Sequence, residues 1–221
     1  MIKIVIVDDH PLVREGLKKV LSREKLPISV IGEVYDGESL FELMEDQEPD
    51  IVTLDIELPG ESGLDVLKQL RKEYPDLPVL MLSTYPAERY AIRSLKAGAA
   101  GYLSKRSIPA EIENALKTIV YEKKRYITPE VAEVLAEQID DHSKSNQLHK
   151  SLSDREFQVM CMIASGMEIR QIARNLNLGV RTIHTYRSRM LEKMKLETNV
   201  DVAHYAINHN LINEFSGRQI G

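Results

Sequence analysis

Five short apolar runs alternate with amphipathic stretches over the first 125 residues, and this alternation constrains the fold more than any other feature. The runs are rich in Val, Ile and Leu, which is typical of strands buried on both faces of a parallel sheet. The pattern predicts an α/β fold with a five-stranded, doubly wound parallel sheet. We predict strands at 3–7, 30–34, 51–54, 79–82 and 101–103, and helices at 11–22, 37–45, 63–73, 86–97 and 109–122.

The rest of the chain follows a different pattern. Residues 129–139 have helical spacing, residues 140–150 are polar without periodicity, and residues 151–212 contain about four helical stretches and no strand candidate. We therefore predict three segments, namely a first domain over 1–125, a helix and flexible linker over 126–150, and an all-α helix-turn-helix domain over 151–221.

Charge and composition exclude several classes of protein. The net charge is −5, but residues 151–221 carry 9 basic and 7 acidic side chains, a mild excess that hints at a nucleic-acid-binding end. No apolar run approaches the roughly 18 residues that span a membrane, and the N-terminus lacks the features of a signal peptide. A single cysteine, Cys161, excludes an internal disulfide. We expect a cytoplasmic protein that does not associate with a membrane.

Polar side chains stand at the ends of four predicted strands. Asp8 and Asp9 follow the first strand, Asp55 the third, Ser83 the fourth and Lys105 the fifth. Because parallel strands share one carboxyl edge, these side chains should converge. Three carboxylates repel one another without a cation, and oxygen ligands suit Mg²⁺. A site with a metal ion, an ammonium group, a hydroxyl and a nucleophilic carboxylate is suited to accept a phosphoryl group.

Each of these residues also has a simpler interpretation. Asp8 and Asp9 could cap the helix that follows them, since aspartate is a preferred N-cap residue. Asp55 or Ser83 could cap a turn, and Lys105 could be an ordinary solvated lysine. Their joint occurrence at the ends of successive strands favours a functional site.

Four motifs, VDDH, LDIELPGESG, LST and GYLSK, occur in this order between residues 7 and 105. On these motifs, residues 1–122 resemble the receiver domain of bacterial two-component response regulators, which has a flavodoxin-like fold. The resemblance implies that Asp55 accepts a phosphoryl group from a sensor histidine kinase. It also implies that Asp9 and Asp55 bind Mg²⁺ directly with the backbone carbonyl of Glu57, while Asp8 acts partly through water.

The resemblance assigns roles to the remaining residues of this edge. Ser83 would donate a hydrogen bond to the phosphoryl oxygens, and Lys105 would pair with them. Tyr102 stands where the family keeps its switch aromatic, and it would rotate inward after Ser83 moves toward the phosphoryl group. Apart from the resemblance, Tyr102 would be interpreted as a half-buried core aromatic.

The C-terminal segment carries the signals of a helix-turn-helix unit. Ser153 with Glu156 three residues later is a capping-box signature, and Gly179 lies in a turn between two helical stretches. The helix after this turn has an apolar side and a polar side flanked by arginines, which suits a major groove. An ordinary amphipathic surface helix is the alternative.

Three motifs extend the resemblance to the end of the chain: L-S-x-R-E at 152–156, I-A-x-G at 163–166 and I-A-x-x-L at 172–176. This segment resembles the LuxR-type DNA-binding domain, and the whole chain resembles a NarL/FixJ-class response regulator. The resemblance implies binding to double-stranded DNA. We expect His184, Thr185 and Ser188 to face bases, and we expect the basic side chains to meet phosphates or flank them, namely Arg170, Arg181, Arg187, Arg189 and Lys193.

The last predicted helix, 200–209, is a candidate dimer surface. Val202, Ala203, Ala206 and Ile207 are its apolar residues. A homodimer would read two half-sites of DNA. RNA polymerase is a further candidate partner of a transcription factor.

Two other functions stay open at this point. A Mg²⁺-dependent aspartyl-phosphate hydrolase of the haloacid-dehalogenase type also uses a strand-end aspartate, but that class usually carries it in a D-x-D motif on the first strand. Here the acids at 8 and 9 are adjacent and Asp55 is on the third strand. A receiver that only binds other proteins, with a degenerate C-terminal domain, is the second alternative. We expect a regulator of transcription rather than an enzyme.

Overall fold

The computed structural model describes residues 1–140, 148–209 and 211–212. Two compact units form, Met1–Ile139 and Asp140–Gly221. The first unit extends beyond residue 125, because part of the predicted helix-and-linker segment folds with it. Residues 141–147 of the predicted linker lie outside the described residues. No helix in the described ranges has the length and apolar character that crossing a membrane requires.

The first unit contains the predicted five-stranded parallel sheet. The strands are ordered β2-β1-β3-β4-β5, and every pair of neighbours is parallel. The central strands are almost entirely buried, as their unbroken apolar runs indicated, whereas β2 lies at an edge and is half-buried. The predicted α/β fold is confirmed, and the strands are β1 Ile2–Val7, β2 Ile28–Val34, β3 Ile51–Asp55, β4 Val79–Ser83 and β5 Gly101–Ser104.

Helices cover both faces of this sheet. On one face, Leu17 and Ile112 from two helices pack with Ile4 and Ile6 of β1 in a single apolar cluster. The opposite face has buried side chains such as Val5, and the other helices supply its second layer. The helices of this unit are α1 Pro11–Leu21, α2 Gly37–Asp46, α3 Gly63–Glu73, α4 Ala87–Lys96, α5 Ile108–Leu116, which continues as a π-helical turn Lys117–Tyr121, and α6 Pro129–Asp140.

The segment after the π-helical turn returns to the sheet. Tyr126 forms a parallel bridge to Gly101, and its backbone N donates to the carbonyl of Ala100 at 2.8 Å. The phenol of Tyr126 is hydrogen-bonded to Glu111 of α5. These contacts cover the outer edge of β5 and attach the start of α6 to the first unit, since α6 then buries Val131.

The second unit consists of helices joined by short turns, with no strand among its described residues. Its helices are α7 Asp154–Ala164, α8 Ile169–Asn175, α9 Val180–Met194 and α10 Asn199–Asn208, preceded by a 3₁₀ turn at Leu148–Ser151. The predicted capping box forms at α7, where Ser153 accepts from the backbone of Glu156 and the glutamate side chain accepts from the backbone of Ser153. Asn177, which has a positive φ of 50°, and Gly179, the N-cap of α9, shape the turn between α8 and α9. This is the predicted helix-turn-helix arrangement.

The predicted dimer surface on α10 is partly wrong. Val202 and Ala206 are fully buried, and α10 packs against α7 within the unit. Apolar spacing alone does not distinguish the core side of a terminal helix from an interface side. Ala203 and Ile207 are half-buried, and Val200 is exposed, so an apolar strip still remains on the outside of α10.

Candidate functional site: an acidic strand edge and a basic helix

The register of the sheet brings the predicted acidic residues to one level. Val7 pairs with Leu54, so Asp8 follows β1 at the height of Asp55, the last residue of β3. Asp55 in turn pairs with Leu82, immediately before Ser83. Each of these polar groups therefore stands at the same edge of the sheet, as the topology predicts.

Lys105 joins two buried carboxylates. Its Nζ lies 2.6 Å from Oδ2 of Asp8 and 2.8 Å from Oδ2 of Asp55. Burial raises the pKa of Asp55 to about 7; the positive charge of Lys105 opposes this shift, and the negative charge of Asp8 adds to it. The pKa of Lys105 is above its usual value, because its carboxylate partners outweigh its burial. One ammonium group thus compensates only part of the negative charge at this edge.

Asp9 and His10 lie beside Asp8 and Asp55 and add two potential metal ligands. Nδ1 of His10 lies 2.5 Å from Oδ1 of Asp9, and one potential ligand atom from each of Asp8, Asp9, His10 and Asp55 lies within 4.8 Å of the others. Neither acid is the N-cap residue of α1, which is His10, but Oδ1 of Asp8 accepts from the backbone N of His10 at 2.9 Å. These acids are therefore arranged toward a shared position that a cation can occupy.

Glycine at position 63 lets the loop after β3 fold closely over the acceptor. The backbone N of Gly63 donates to the carbonyl of Ile56 at 2.9 Å. A Cβ at this position would lie 1.9 Å from the backbone carbonyl oxygen of Asp55, which no side chain tolerates. This close approach fixes the loop that contains Glu57.

Ser83, Tyr85 and Tyr102 form one hydrogen-bonded group. Oγ of Ser83 accepts from the backbone N of Tyr85 at 3.1 Å, and Oη of Tyr102 donates to the carbonyl of Tyr85 at 2.8 Å. Tyr102 is 1% exposed, and burial raises the pKa of its phenol. Tyr102 is therefore fully buried rather than half-buried, and its ring already lies inward. The inward rotation that the resemblance implies would have to start from a conformation other than this one.

The exposed surface of α9 carries most of the predicted DNA-contacting residues. His184, Thr185 and Ser188 are all exposed, as are Arg181 and Arg189. Arg181, Thr185 and Arg189 also line one depression on this helix, together with Thr182 and Tyr186. Arg170 is exposed at the start of α8. No other part of this unit that the structure describes covers the polar side of the predicted recognition helix, so a ligand can reach it.

Two basic residues of α9 have partners within the unit. Nε of Arg187 donates to Oδ1 of Asn199 at 2.7 Å, at the start of α10. Nζ of Lys193 lies 2.6 Å from Oε2 of Glu156, the capping-box residue of α7. Burial raises the pKa of Glu156, but Lys193 and the bonds from Ser153 outweigh it, so the net pKa is lowered. A phosphate contact by Lys193 would compete with this ion pair.

Two family models match the chain, one for each unit. Residues 4–117 match the response regulator receiver domain. Residues 150–206 match the bacterial regulatory proteins of the luxR family. Together the two matches cover most of the chain, and they agree with the motifs on which the resemblance was based.

Two response regulators match this chain over nearly its whole length. Response regulator UvrY of Escherichia coli K12 is 35% identical over 213 residues, which cover 96% of this chain and 97% of UvrY. Response regulator GacA of Pseudomonas aeruginosa PAO1 is 33% identical over 216 residues, which cover 98% of this chain and 100% of GacA. The chain belongs to the NarL/FixJ class of response regulators.

Solved structures agree with the fold of this response regulator. A LuxR-family two-component response regulator from Aurantimonas sp. SI85-9A1 is 32% identical, with a TM-score of 0.58 over 62% of this chain and 97% of that one. RcsB from Salmonella enterica serovar Typhimurium, bound to the rprA promoter, is 22% identical, with a TM-score of 0.64 over 92% of this chain and 97% of RcsB. The response regulator regulates transcription through a receiver domain and a LuxR-type DNA-binding domain.

The sequence identified most residues of the receiver edge but missed three side chains. Asp8, Asp9, Asp55, Ser83 and Lys105 come together as their strand positions predict. His10 was overlooked, although its place directly after the paired acids was a signal. The Tyr85 side chain and the carboxylate of Glu57 were also missed, and they hydrogen-bond each other at 2.5 Å. No periodic pattern marks either of these loop residues.

Proposed function

We propose that this response regulator accepts a phosphoryl group on Asp55 from a sensor histidine kinase and that phosphorylation controls its binding to DNA. The observation that carries the proposal is the convergence of Asp8, Asp9 and Asp55 at one edge of the sheet, where the amine of Lys105 contacts Asp8 and Asp55. The same chain has an exposed basic helix in its second domain. The receiver family supports a histidine kinase as the donor.

The residues at this edge fit Mg²⁺. Asp8, Asp9 and Asp55 supply carboxylate oxygens, the ligand type that Mg²⁺ prefers, and the backbone carbonyl of Glu57 would add another oxygen. One lysine does not balance three carboxylates, so a divalent cation would remove the remaining repulsion. When bound, Mg²⁺ would neutralise charge that develops on the phosphoryl oxygens.

The side chains of the receiver would perform the transfer. The carboxylate of Asp55 attacks phosphorus, the bond between phosphorus and the donor breaks, and an acyl phosphate forms on Asp55. Lys105 turns its ammonium group from the bare carboxylate to a phosphoryl oxygen. Ser83 donates its hydroxyl proton in a hydrogen bond to another phosphoryl oxygen, while its Oγ already accepts from Tyr85.

The output would pass through Tyr102. Its hydroxyl bonds the carbonyl of Tyr85 next to Ser83, and its ring borders a cavity of about 330 Å³ that Pro86, Thr128 and Val131 also line. Stabilising the inward position of Tyr102 would fix this surface, which is a population shift between two states of the receiver. Phosphorylation adds about one negative charge or more to drive the shift.

The second domain would bind double-stranded DNA as a homodimer. His184, Thr185 and Ser188 would face bases, while Arg170, Arg181, Arg187 and Arg189 would contact or approach phosphates. Lys193 is also a candidate for a phosphate contact, but it would have to break its ion pair with Glu156 to make one. We propose a functional division into a receiver at 1–125, a connecting segment at 126–150 and a DNA-binding domain at 151–221, in a cytoplasmic protein whose further partner is RNA polymerase.

The proposed activity is a single transfer to Asp55, without turnover of an outside substrate. Steady hydrolysis of small phosphate esters would favour the aspartyl-phosphate hydrolase alternative. The decisive experiment selects bound sequences from random duplex DNA, with and without a small acyl-phosphate donor and Mg²⁺. We expect a two-fold symmetric motif that is enriched in the presence of the donor. Enrichment that is equal with and without the donor would contradict phosphorylation control.

A further inference from the structure

Both polar groups of the Asp8 backbone have hydrogen-bond partners. Its backbone N donates to the carbonyl of Val34, the last residue of β2, at 3.1 Å. Its carbonyl accepts from Nη1 of Arg14 at 2.6 Å. This carbonyl belongs to the planar peptide group that joins Asp8 to Asp9, so Arg14 fixes the direction in which the chain leaves β1 toward Asp9.

Arg14 reaches this carbonyl from the beginning of α1. Side chains of a helix tilt toward its N-terminus, which directs the guanidinium back to the residues that follow β1. The helix dipole disfavours a positive charge at this end, and the Arg14 side chain is only 19% exposed, so water compensates little of its charge. The arginine therefore depends on partners within the protein.

Glu33 of β2 is the second partner of Arg14. Its Oε2 lies 3.8 Å from Nε of Arg14, and its Oε1 lies 2.8 Å from Nζ of Lys18, one turn further along α1. Glu33 directly precedes Val34, so the end of β2 holds both the arginine and the backbone N of Asp8. The negative charge of Glu33 also offsets the positive charge of Arg14 close to the acidic edge.

Asp9 is the acid that most needs such support. Its side chain is 29% exposed, whereas Asp8 and Asp55 are buried and both contact Lys105. A more exposed carboxylate has more freedom, and holding it in place before a ligand arrives reduces the entropy lost on binding.

We propose that Arg14, held by Glu33, is a positioning residue for the metal site, because it fixes the Asp8 carbonyl and thereby aims the Asp9 carboxylate at the position that Mg²⁺ would occupy. This inference rests on the proposed function, since it concerns the same Mg²⁺ site. Arg14 is not one of the potential ligands and acts through the peptide between Asp8 and Asp9.

Position and charge predict opposite effects for this arginine. As a nearby positive charge, Arg14 repels a divalent cation, so its removal would tighten metal binding. As the group that holds the Asp8 carbonyl, it arranges the ligands in advance, so its removal would weaken metal binding. Loss of a residue that orients metal ligands lowers metal affinity by about 10- to 100-fold. The direction of the change in Kd therefore distinguishes the two roles.

The first test compares Arg14→Met with wild type in the full-length protein. Electron paramagnetic resonance of Mn²⁺ gives the Kd for this ion, and competition gives the Kd for Mg²⁺. We expect both Kd values to rise by about tenfold or more. Lys18→Met is the matched control, because it removes a cation from the same helix and the same glutamate but keeps the bond from Arg14 to Asp8, so its Kd values should match wild type. Urea unfolding verifies that each variant is folded before metal is added.

The second test examines whether Glu33 acts through Arg14. Glu33→Gln keeps the shape of the side chain and removes the charge that holds and offsets the arginine. We expect it to weaken Mn²⁺ binding by a smaller factor than Arg14→Met does. The double variant should bind Mn²⁺ as Arg14→Met does, because residues that act as a unit are not additive. Additive losses in the double variant would overturn the role given to Glu33.

Two further results bear on different claims. If wild type binds Mn²⁺ and Arg14→Met binds it equally or more tightly, the positioning role is refuted while the proposed function stands. If wild type binds neither Mn²⁺ nor Mg²⁺, the metal site of the proposed function fails and the positioning role fails with it.

Discussion

The amine of Lys105 lies 2.8 Å from Oδ2 of Asp55, so the proposed acceptor is paired with a cation before any phosphoryl group arrives. The same amine lies 2.6 Å from Asp8. The lysine is 11% exposed, and both carboxylates are buried. The receiver therefore holds a compact ion cluster whose members depend on one another.

Removing the lysine should destabilise the receiver. Lys105→Met leaves two buried carboxylates without their cation, and breaking a buried pair from one side costs about 3–5 kcal/mol. The exposed Lys124, which pairs with Glu122 at 3.3 Å, provides the control, since a surface pair contributes about 0–1 kcal/mol. Urea unfolding at pH 7.5 with a chelator measures both variants. An equal decrease in the free energy of unfolding for the two variants would show that the buried cluster stabilises the receiver no more than a surface ion pair does.

Replacing the acceptor should have the opposite effect on metal-free protein. The pKa of Asp55 is raised from 3.8 to about 7 in the folded state, so the stability associated with its protonated form is lost as pH rises from about 4 to about 7. The asparagine of Asp55→Asn does not titrate, so the free energy of unfolding of this variant should rise relative to wild type across this window. At about 1.36 kcal/mol per pKa unit, the gain is at most about 4 kcal/mol. Unfolding curves between pH 4 and 8 with a chelator test this. A difference that does not vary with pH would contradict it.

Glycine 63 should be essential for the acceptor loop. Gly63→Ala places a Cβ 1.9 Å from the carbonyl oxygen of Asp55, so the loop must move, and we expect loss of phosphoryl uptake as well as stability. Gly16→Ala is the control, because a Cβ at this position in α1 meets nothing within 4 Å. That change should stabilise the protein by about 0.5–1 kcal/mol. Thermal unfolding and phosphoryl incorporation by both variants distinguish a specific requirement from a general sensitivity to alanine.

Lys193 should act on the stability of the DNA-binding domain more than on DNA affinity. Lys193→Met leaves the buried carboxylate of Glu156 without its cation and should cost about 1–3 kcal/mol. The destabilisation should vanish in acid. Because the pKa of Glu156 is lowered in the folded state, the ion pair stabilises the domain above pH 4.5, the ordinary pKa of a glutamate. This stabilisation is lost as the pH falls and the carboxylate is protonated.

The comparison variant for Lys193 is Arg189→Ala, from the exposed side of α9. It should reduce the salt dependence of DNA binding by about one phosphate contact and leave stability unchanged. Measurements of affinity against salt concentration and of urea unfolding cover both variants. A full one-contact reduction in the salt dependence of Lys193→Met would restore the phosphate role that the sequence suggested.

The convergence at the receiver edge could be predicted because it depends on topology alone. In a parallel sheet, residues that end neighbouring strands must share one edge, whatever their side-chain conformations. Asp8, Asp55 and Lys105 are far apart in the chain, but each follows a short apolar run whose length and β-branched residues favour a strand. The family resemblance then gave each residue a role that spacing by itself left open.

Contacts that depend on loop shape or on the choice of partner could not be predicted. The bond between Tyr85 and Glu57 requires two loops to take specific conformations, and neither loop has a period. Lys193 looks like any basic residue of a DNA-facing helix until Glu156, 37 residues earlier, is brought beside it. Val202 fits a core or an interface equally well, because burial in either uses the same apolar pattern.

The intact mass of wild type and Asp55→Asn after incubation with Mg²⁺ and a small acyl-phosphate donor tests directly whether Asp55 is the acceptor. We expect each wild-type chain to gain one phosphoryl group, which is lost again on standing, and Asp55→Asn to gain none. Equal labelling of the two proteins would contradict the assignment of Asp55 as the acceptor.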